Sequence, residues 1–243
     1  MRLVQGCLNG SRRPGEHPGL PVTPAELARD ARETAIAGAF SVHVHPRRAD
    51  GSETLDAADC AAALNAIREA CPGLPVGLST GAWIEPDPGR RLDLIRRWQA
   101  PPDFVSVNMH EPGAAALVRD LGRLGIGVEA GIPTVAAARE FVDQDMAGLC
   151  LRVLVELPEP ELGAALASAA GIDAVLDAAG VRVPRLYHGA DLAAWAVIEA
   201  MLARGRDVRV GLEDVLVLAD GRTAAGNADL VAAAVALGRG LRQ

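Results

Sequence analysis

At 243 residues, half of them hydrophobic, the chain is long enough to bury one large core, and no charge block or low-complexity run marks a linker. A net charge of −7, no basic stripe and only 3% aromatic residues leave little to grip a nucleic acid backbone or stack its bases, so nucleic acid is excluded as a partner. Charges, Pro or Gly break every hydrophobic segment, which excludes a bilayer-spanning helix.

The first run, residues 3–8, reads as a strand and leads into a loop carrying Asn9, Ser11 and Arg12. A helix is expected over 23–37: Thr23 can cap it, Pro24 takes its first position, Glu26 completes a capping box and Gly38 stops it. The next strand, 40–45, contains Val42-His43-Val44-His45 and precedes a helix over 57–70. A strand over 75–79 ends in Leu78-Ser79-Thr80-Gly81, with a helix over 90–99 behind it. Strand-helix pairs then follow at 104–108 and 114–124, 127–130 and 135–144, 150–156 and 161–179, and 185–188 and 192–204. The last strand, 208–211, runs into Leu212-Glu213-Asp214, and a helix over 228–241 closes the chain. Gly125 and Gly205 act as further helix stops.

Eight such units point to an α/β fold, a (β/α)8 barrel occupying 1–243 as one domain. An open doubly wound sheet is the alternative, but no GxGxxG follows the first strand. Cys7, Cys60, Cys71 and Cys150 show no CxxC spacing, and nothing at the N-terminus resembles a secretory leader. They read as reduced thiols in a cytoplasmic protein.

In such a barrel, chemistry sits where strands end. His43 and His45 share one strand face, as do Arg209, Gly211 and Glu213 in Arg209-Val210-Gly211-Leu212-Glu213-Asp214. Two imidazoles and a carboxylate make a divalent-metal site, with a guanidinium and a second acid beside it. Lone strand histidines are more often core residues, but HxH inside an apolar strand would bury two polar rings without partners. Other strand ends carry Ser79, Asn108, Glu129, Glu156 and His188. The bland readings are a turn-capping Ser79, a Gly81 serving backbone geometry, an Asp214 helix cap, and Glu129 or Glu156 paired to Arg12, Arg47 or Arg152. The Ser79 segment lacks the GxSxG elbow, which argues against a serine hydrolase.

Together, Asn9-Gly10-Ser11, Leu20 through Glu26, His43-Val44-His45-Pro46-Arg47, Asp50-Gly51, Ser79-Thr80-Gly81, Arg209 through Asp214 and Gly226-Asn227-Ala228-Asp229 resemble the β-keto acid cleavage enzymes, the family of 3-keto-5-aminohexanoate cleavage enzyme. The resemblance runs in order over nearly the whole chain. It implies a Zn²⁺-dependent, retro-Claisen-type exchange between a β-keto acid and a CoA thioester, usually acetyl-CoA, on a (β/α)8 barrel. His43, His45 and Glu213 would hold the metal, and Ser79, Arg209 and Asp214 match a catalytic triad, with Glu129 a further acid. Asn9, Ser11, Arg12, Thr80, Gly81 and Asn108 would contact substrate. The family likeness also implies a homo-oligomer, often a tetramer.

Two departures stand out. Arg12 occupies the position where family members carry an acid that meets a substrate ammonium, so an acidic or neutral substrate tail is expected here. The Gly-rich segment after strand six is replaced by Leu154-Val155-Glu156-Leu157-Pro158-Glu159, which weakens the case for CoA binding. An amidohydrolase-type metal enzyme is one alternative, but it needs histidines after strands five and six. A non-enzymatic metal- or ligand-binding barrel is the other, and the presence of both Arg209 and Asp214 speaks against it.

Overall fold

The computed structural model describes residues 3–241. Eight strands and eight helices alternate along it: β1 (Val4–Cys7), α1 (Pro24–Ala37), β2 (Ser41–Val44), α2 (Ala57–Ala70), β3 (Val76–Ser79), α3 (Pro88–Ile95), β4 (Phe104–Asn108), α4 (Ala114–Arg123), β5 (Gly127–Ile132), α5 (Val135–Asp143), β6 (Arg152–Leu157), α6 (Leu162–Ala178), β7 (Arg185–Gly189), α7 (Ala194–Ala203), β8 (Asp207–Val210) and α8 (Asn227–Gly240). Every neighbouring pair of strands is parallel, and β8 returns to pair with β1, so the sheet closes into a (β/α)8 barrel.

Local chemistry sets the element ends. Thr23 accepts from Glu26 N while the Glu26 carboxylate accepts from Thr23 N, which completes the capping box before Pro24. Gly38, Gly125 and Gly205 follow α1, α4 and α7 at φ of 114°, 72° and 79°, the left-handed values that favour glycine. The helix expected at 90–99 instead starts at Pro88, because Asp87 caps it through Arg90 N at 2.7 Å. The one expected at 192–204 starts at Ala194, behind a short 3-10 turn that Asp191 opens at a left-handed φ of 42°. β5 runs two residues past the expected 130, to Ile132.

Side chains alternate across each strand. Val42, Val44, Leu78, Val105, Val107, Val153 and Val210 face outward, fully buried against helices that contribute Leu27, Leu64, Ile172 and Leu230. The hydrophobic core is therefore the ring between strands and helices. The inside of the barrel is largely polar, in contrast with the usual filling of Val, Ile and Leu. Gln5 and Ser41 from β1 and β2 meet there at 3.3 Å. The Glu129 carboxylate, wholly buried, is held by Gln5 Nε2 at 2.7 Å and by Arg152 Nε. The Arg152 guanidinium also lies 4.9 and 5.0 Å from the centroids of the Phe40 and Phe104 rings. This plug closes the N-terminal end of the barrel and leaves the C-terminal mouth for the site.

Candidate metal centre

The mouth gathers three donors from two strands. His43 lies within β2, His45 follows it immediately, and Glu213 comes from the loop after β8. His43 Nε2 and His45 Nε2 are 3.1 Å apart, and Glu213 Oε1 and Oε2 stand 3.6 Å from His45 Nε2 and 4.0 Å from His43 Nε2. One donor atom from each residue falls within 4.8 Å of the others. Ligands of one tetrahedral ion at about 2.0–2.2 Å stand roughly 3.4 Å from each other, so the trio is close to the separation a divalent metal needs. Glu213 Oε2 is buried and has no hydrogen-bond partner. An orphaned carboxylate oxygen beside two imidazole nitrogens fits a cation, since a buried charge is costly unless paired or coordinated.

The two histidines differ in charge. Burial pushes His43 down to about 3, so its imidazole is neutral. Burial also works against a charged His45, but the Glu213 and Glu53 carboxylates outweigh it and bring His45 up to about 9. His45 is framed by Asn9, whose Oδ1 accepts from His45 N at 2.9 Å and whose Nδ2 donates to His45 O at 2.9 Å.

A charged network stands behind the trio. Arg209 Nη2 donates to Glu213 Oε1 at 2.5 Å and Asp214 Oδ1 at 3.0 Å. His188 Nδ1 lies 3.2 Å from Asp214 Oδ1, and Glu156 Oε1 lies 3.9 Å from His188 Nε2. Burial alone would neutralise these groups, and their mutual attraction overcomes it. Arg209 is held well above its ordinary range and Glu213 well below, while Asp214 is lowered by Arg209 and His188. Burial and the Arg209 charge push His188 down, yet Asp214 and Glu156 bring it up to about 9. The Cys7 thiol, raised well above its usual value by burial, stays protonated and unreactive.

Other expected site residues are placed as follows. Ser79, buried at the end of β3, accepts from Gly81 N at 3.3 Å. Thr80 donates to Ser106 O at 2.6 Å and ties β3 to β4. Asn108 donates to Glu111 at 2.9 Å, and Glu111 pairs with Arg91 at 3.0 Å. Ser11 is exposed, and Arg12 reaches across the mouth to Leu212 O at 2.6 Å and Asp191 at 3.0 Å. Glu129 sits with Arg152 and Gln5 and has no hydrogen bond to the His-His-Glu trio. Glu53 escaped sequence reasoning, and Asn227 entered it only within the segment 226–229, without a role. Glu53 lies 2.5 Å from His45 Nδ1, and the Asp50-Gly51 turn that folds it back was the available signal. Asn227 accepts from Leu212 N at 2.7 Å and donates to Leu8 O at 2.8 Å, clamping the Glu213 loop to the end of β1.

A parallel (β/α)8 barrel with a His-His-Glu group and a buried Arg-Asp pair at its C-terminal mouth has the layout of a metal-dependent barrel enzyme. Residues 3–143 and 179–243 match the family model described as beta-keto acid cleavage enzyme, and the chain belongs to that family. It is 35% identical over 83 residues to a 3-keto-5-aminohexanoate cleavage enzyme of Fusobacterium nucleatum, covering 34% of this chain and 30% of that one. The corresponding enzyme of Acetoanaerobium sticklandii is 32% identical over 94 residues, 38% of this chain and 34% of that one. The matched segments therefore span about a third of these relatives' length. Among solved structures, ObcA in binary complex with oxaloacetate superposes with a TM-score of 0.77 at 18% identity, over 92% of this chain and 64% of that chain. ObcA in ternary complex with a C4-CoA adduct and oxalate gives the same TM-score and identity over 92% and 65%. At that identity the likeness shows the fold. The residues between the two matched stretches, 144–178, enclose β6 and α6.

Proposed function

We propose that this chain cleaves a β-keto acid by acyl exchange with a CoA thioester, acetyl-CoA in the simplest case, using Zn²⁺ held by His43, His45 and Glu213. The observation that carries the reading is the convergence of two Nε2 atoms and an unpartnered carboxylate oxygen beside the Arg209–Asp214 pair. Family membership supports it, as does a solved relative in fold, ObcA, in complexes with oxaloacetate and with a C4-CoA adduct. In the exchange, the acyl group leaves carbon 2 of the keto acid for the CoA sulfur and the acetyl group joins that carbon, giving acetoacetate and a new acyl-CoA.

A divalent ion bound there would supply Lewis acidity toward the ketone and carboxylate oxygens of a β-keto acid. Arg209, fixed by two carboxylates and held well above its ordinary range, stays a cation. It therefore serves as an electrostatic clamp, orienting Glu213 and balancing negative charge that develops on substrate. Asp214 holds Arg209 and His188 in place, and Ser79 lies at the end of β3, the strand beside the two histidines. Arg12 on the rim favours an acidic or neutral substrate tail, with its charge partly met by Asp191. Glu129 belongs to the buried plug beneath the site on this reading. The mouth carries Gly131 and Glu156 where an amidohydrolase would place histidines, which argues against a hydrolase of that type.

The same reading treats 1–243 as one barrel domain in a cytoplasmic homo-oligomer, a tetramer by family likeness. Zinc-loaded protein incubated with acetyl-CoA and a panel of β-keto acids should form acetoacetate and an acyl-CoA detectable by mass spectrometry. Absence of both products across the panel in zinc-replete protein would reject the reading.

A further inference from the structure

We propose that Glu53 is the residue that makes His45 a metal ligand, with Trp83 holding Glu53 in position. The inference rests on the metal reading above. An imidazole can present one nitrogen to a metal only when its proton resides on the other, and an outer carboxylate is the usual device for keeping it there. His45 Nδ1 lies 2.5 Å from Glu53 Oε1, while its Nε2 faces His43 and Glu213. The contact thus keeps a proton on Nδ1, so that on metal binding it is the Nε2 proton that leaves and the Nε2 lone pair that faces the converging donors. His43 has no such device, because its Nδ1 is buried without a partner. Orientation of the histidine pair therefore depends on the His45 side.

Glu53 is itself restrained at three levels. The Trp83 indole nitrogen donates to both of its oxygens, at 3.2 and 3.1 Å. The Trp83 ring stacks on His45, with centroids 6.2 Å apart and planes inclined by 22°, so one side chain steadies both partners of the contact. Gly81 makes this possible: a Cβ there would come within 2.4 Å of the Trp83 ring. In the backbone, Asp50-Gly51 reverses the chain with Gly51 at φ 84°, and residue 53 pairs antiparallel with Arg47. The Arg47 guanidinium then bonds Gly51 O at 2.8 Å, Gly10 O at 2.7 Å and Arg12 O at 2.6 Å, bracing the loop against the one after β1. Arg47 of the HxHxR unit is accordingly a brace for the loop that delivers Glu53, and Glu53 and Trp83 are positioning residues.

The test is metal affinity of the full chain, by competition with a chromophoric zinc chelator, together with the visible absorption of the Co²⁺ form. Glu53→Ala should weaken zinc binding by about 10–100-fold and alter the Co²⁺ band. Glu53→Gln, which keeps an acceptor oxygen but not the charge, should fall between it and wild type, and Trp83→Phe should show a smaller loss. Melting of the metal-free proteins separates this from misfolding, and if Glu53→Ala fails to fold, Glu53→Gln decides. Wild-type affinity in Glu53→Gln and Glu53→Ala, with His45→Ala losing metal, would overturn the inference alone. A wild-type protein that takes up neither Zn²⁺ nor Co²⁺ would overturn the metal reading itself.

Discussion

Arg209 stands 2.5 Å from Glu213 through the same nitrogen that reaches Asp214 at 3.0 Å, so one cation fixes both acids of the loop after β8. Removing it would leave two buried carboxylates facing each other, a change that costs about 3–5 kcal/mol when a buried pair is broken. Arg209→Lys keeps the charge but loses the planar fork whose Nε and Nη2 meet the two oxygens of Asp214 at 3.4 and 3.0 Å. We expect Arg209→Lys to fold, measured by thermal melting, and to lose about 10²–10³-fold in kcat, the scale of a removed transition-state donor. Wild-type turnover in Arg209→Lys would take the clamp out of the mechanism.

Glu129 and Arg152 form the plug under the site. Arg152→Met strands a wholly buried carboxylate, and the expected loss is about 3–5 kcal/mol in denaturant titration. Adding Glu129→Leu should recover much of that loss. Glu129→Gln should retain most activity; a collapse of kcat without loss of stability would instead make Glu129 a participant in the chemistry.

Asp30 gives the protein a pH-dependent weakness. Burial, only partly offset by the hydrogen bond from Asn227 at 2.6 Å, brings its pKa up to about 7 from an ordinary 3.8. Between those values the folded chain holds a proton that the unfolded chain has released, so protonation favours folding. This contribution is complete below about pH 4 and is lost as pH rises through 7. Urea titrations from pH 5 to 8 should show Asp30→Asn gaining on wild type as pH rises, by about 2–3 kcal/mol across that range. A constant difference across that range would contradict the assignment.

Ser79 offers a hydroxyl whose oxygen already accepts from Gly81 N. Its proton is thus available to an oxygen in the mouth. Ser79→Ala should lower kcat about 10–100-fold while moving stability by no more than about 1 kcal/mol. Unchanged kcat would leave Ser79 a turn-forming residue.

The fold was legible because period-two and helical patterns alternate eight times, and because Thr23, Pro24, Glu26 and Gly38 carry their own boundary chemistry. The His43, His45 and Glu213 grouping was legible too, since strand alternation fixes which side chains share a face and the barrel rule fixes which ends converge. What sequence spacing could not show is contact across the mouth. Arg12 meeting Leu212, Asn227 clamping β1 to β8 and Trp83 meeting Glu53 join positions 30 to more than 200 residues apart. The polar interior was legible only in part: a Glu129–Arg152 pair was among the sequence readings, but Gln5 looks like an ordinary polar residue in a separate strand until barrel closure brings it to Glu129. The α3 start differs because Asp87 and Pro88 form a cap and first helical position ahead of Arg90.

The acyl exchange can be followed through carbon from doubly ¹³C-labelled acetyl-CoA in zinc-loaded protein supplied with an unlabelled β-keto acid. Both labelled carbons should appear in acetoacetate and the unlabelled acyl group on CoA, and His45→Ala and Glu213→Gln should lose both signals. Label confined to acetyl-CoA and its hydrolysis product acetate, or equal transfer by His45→Ala, would contradict the metal-dependent exchange.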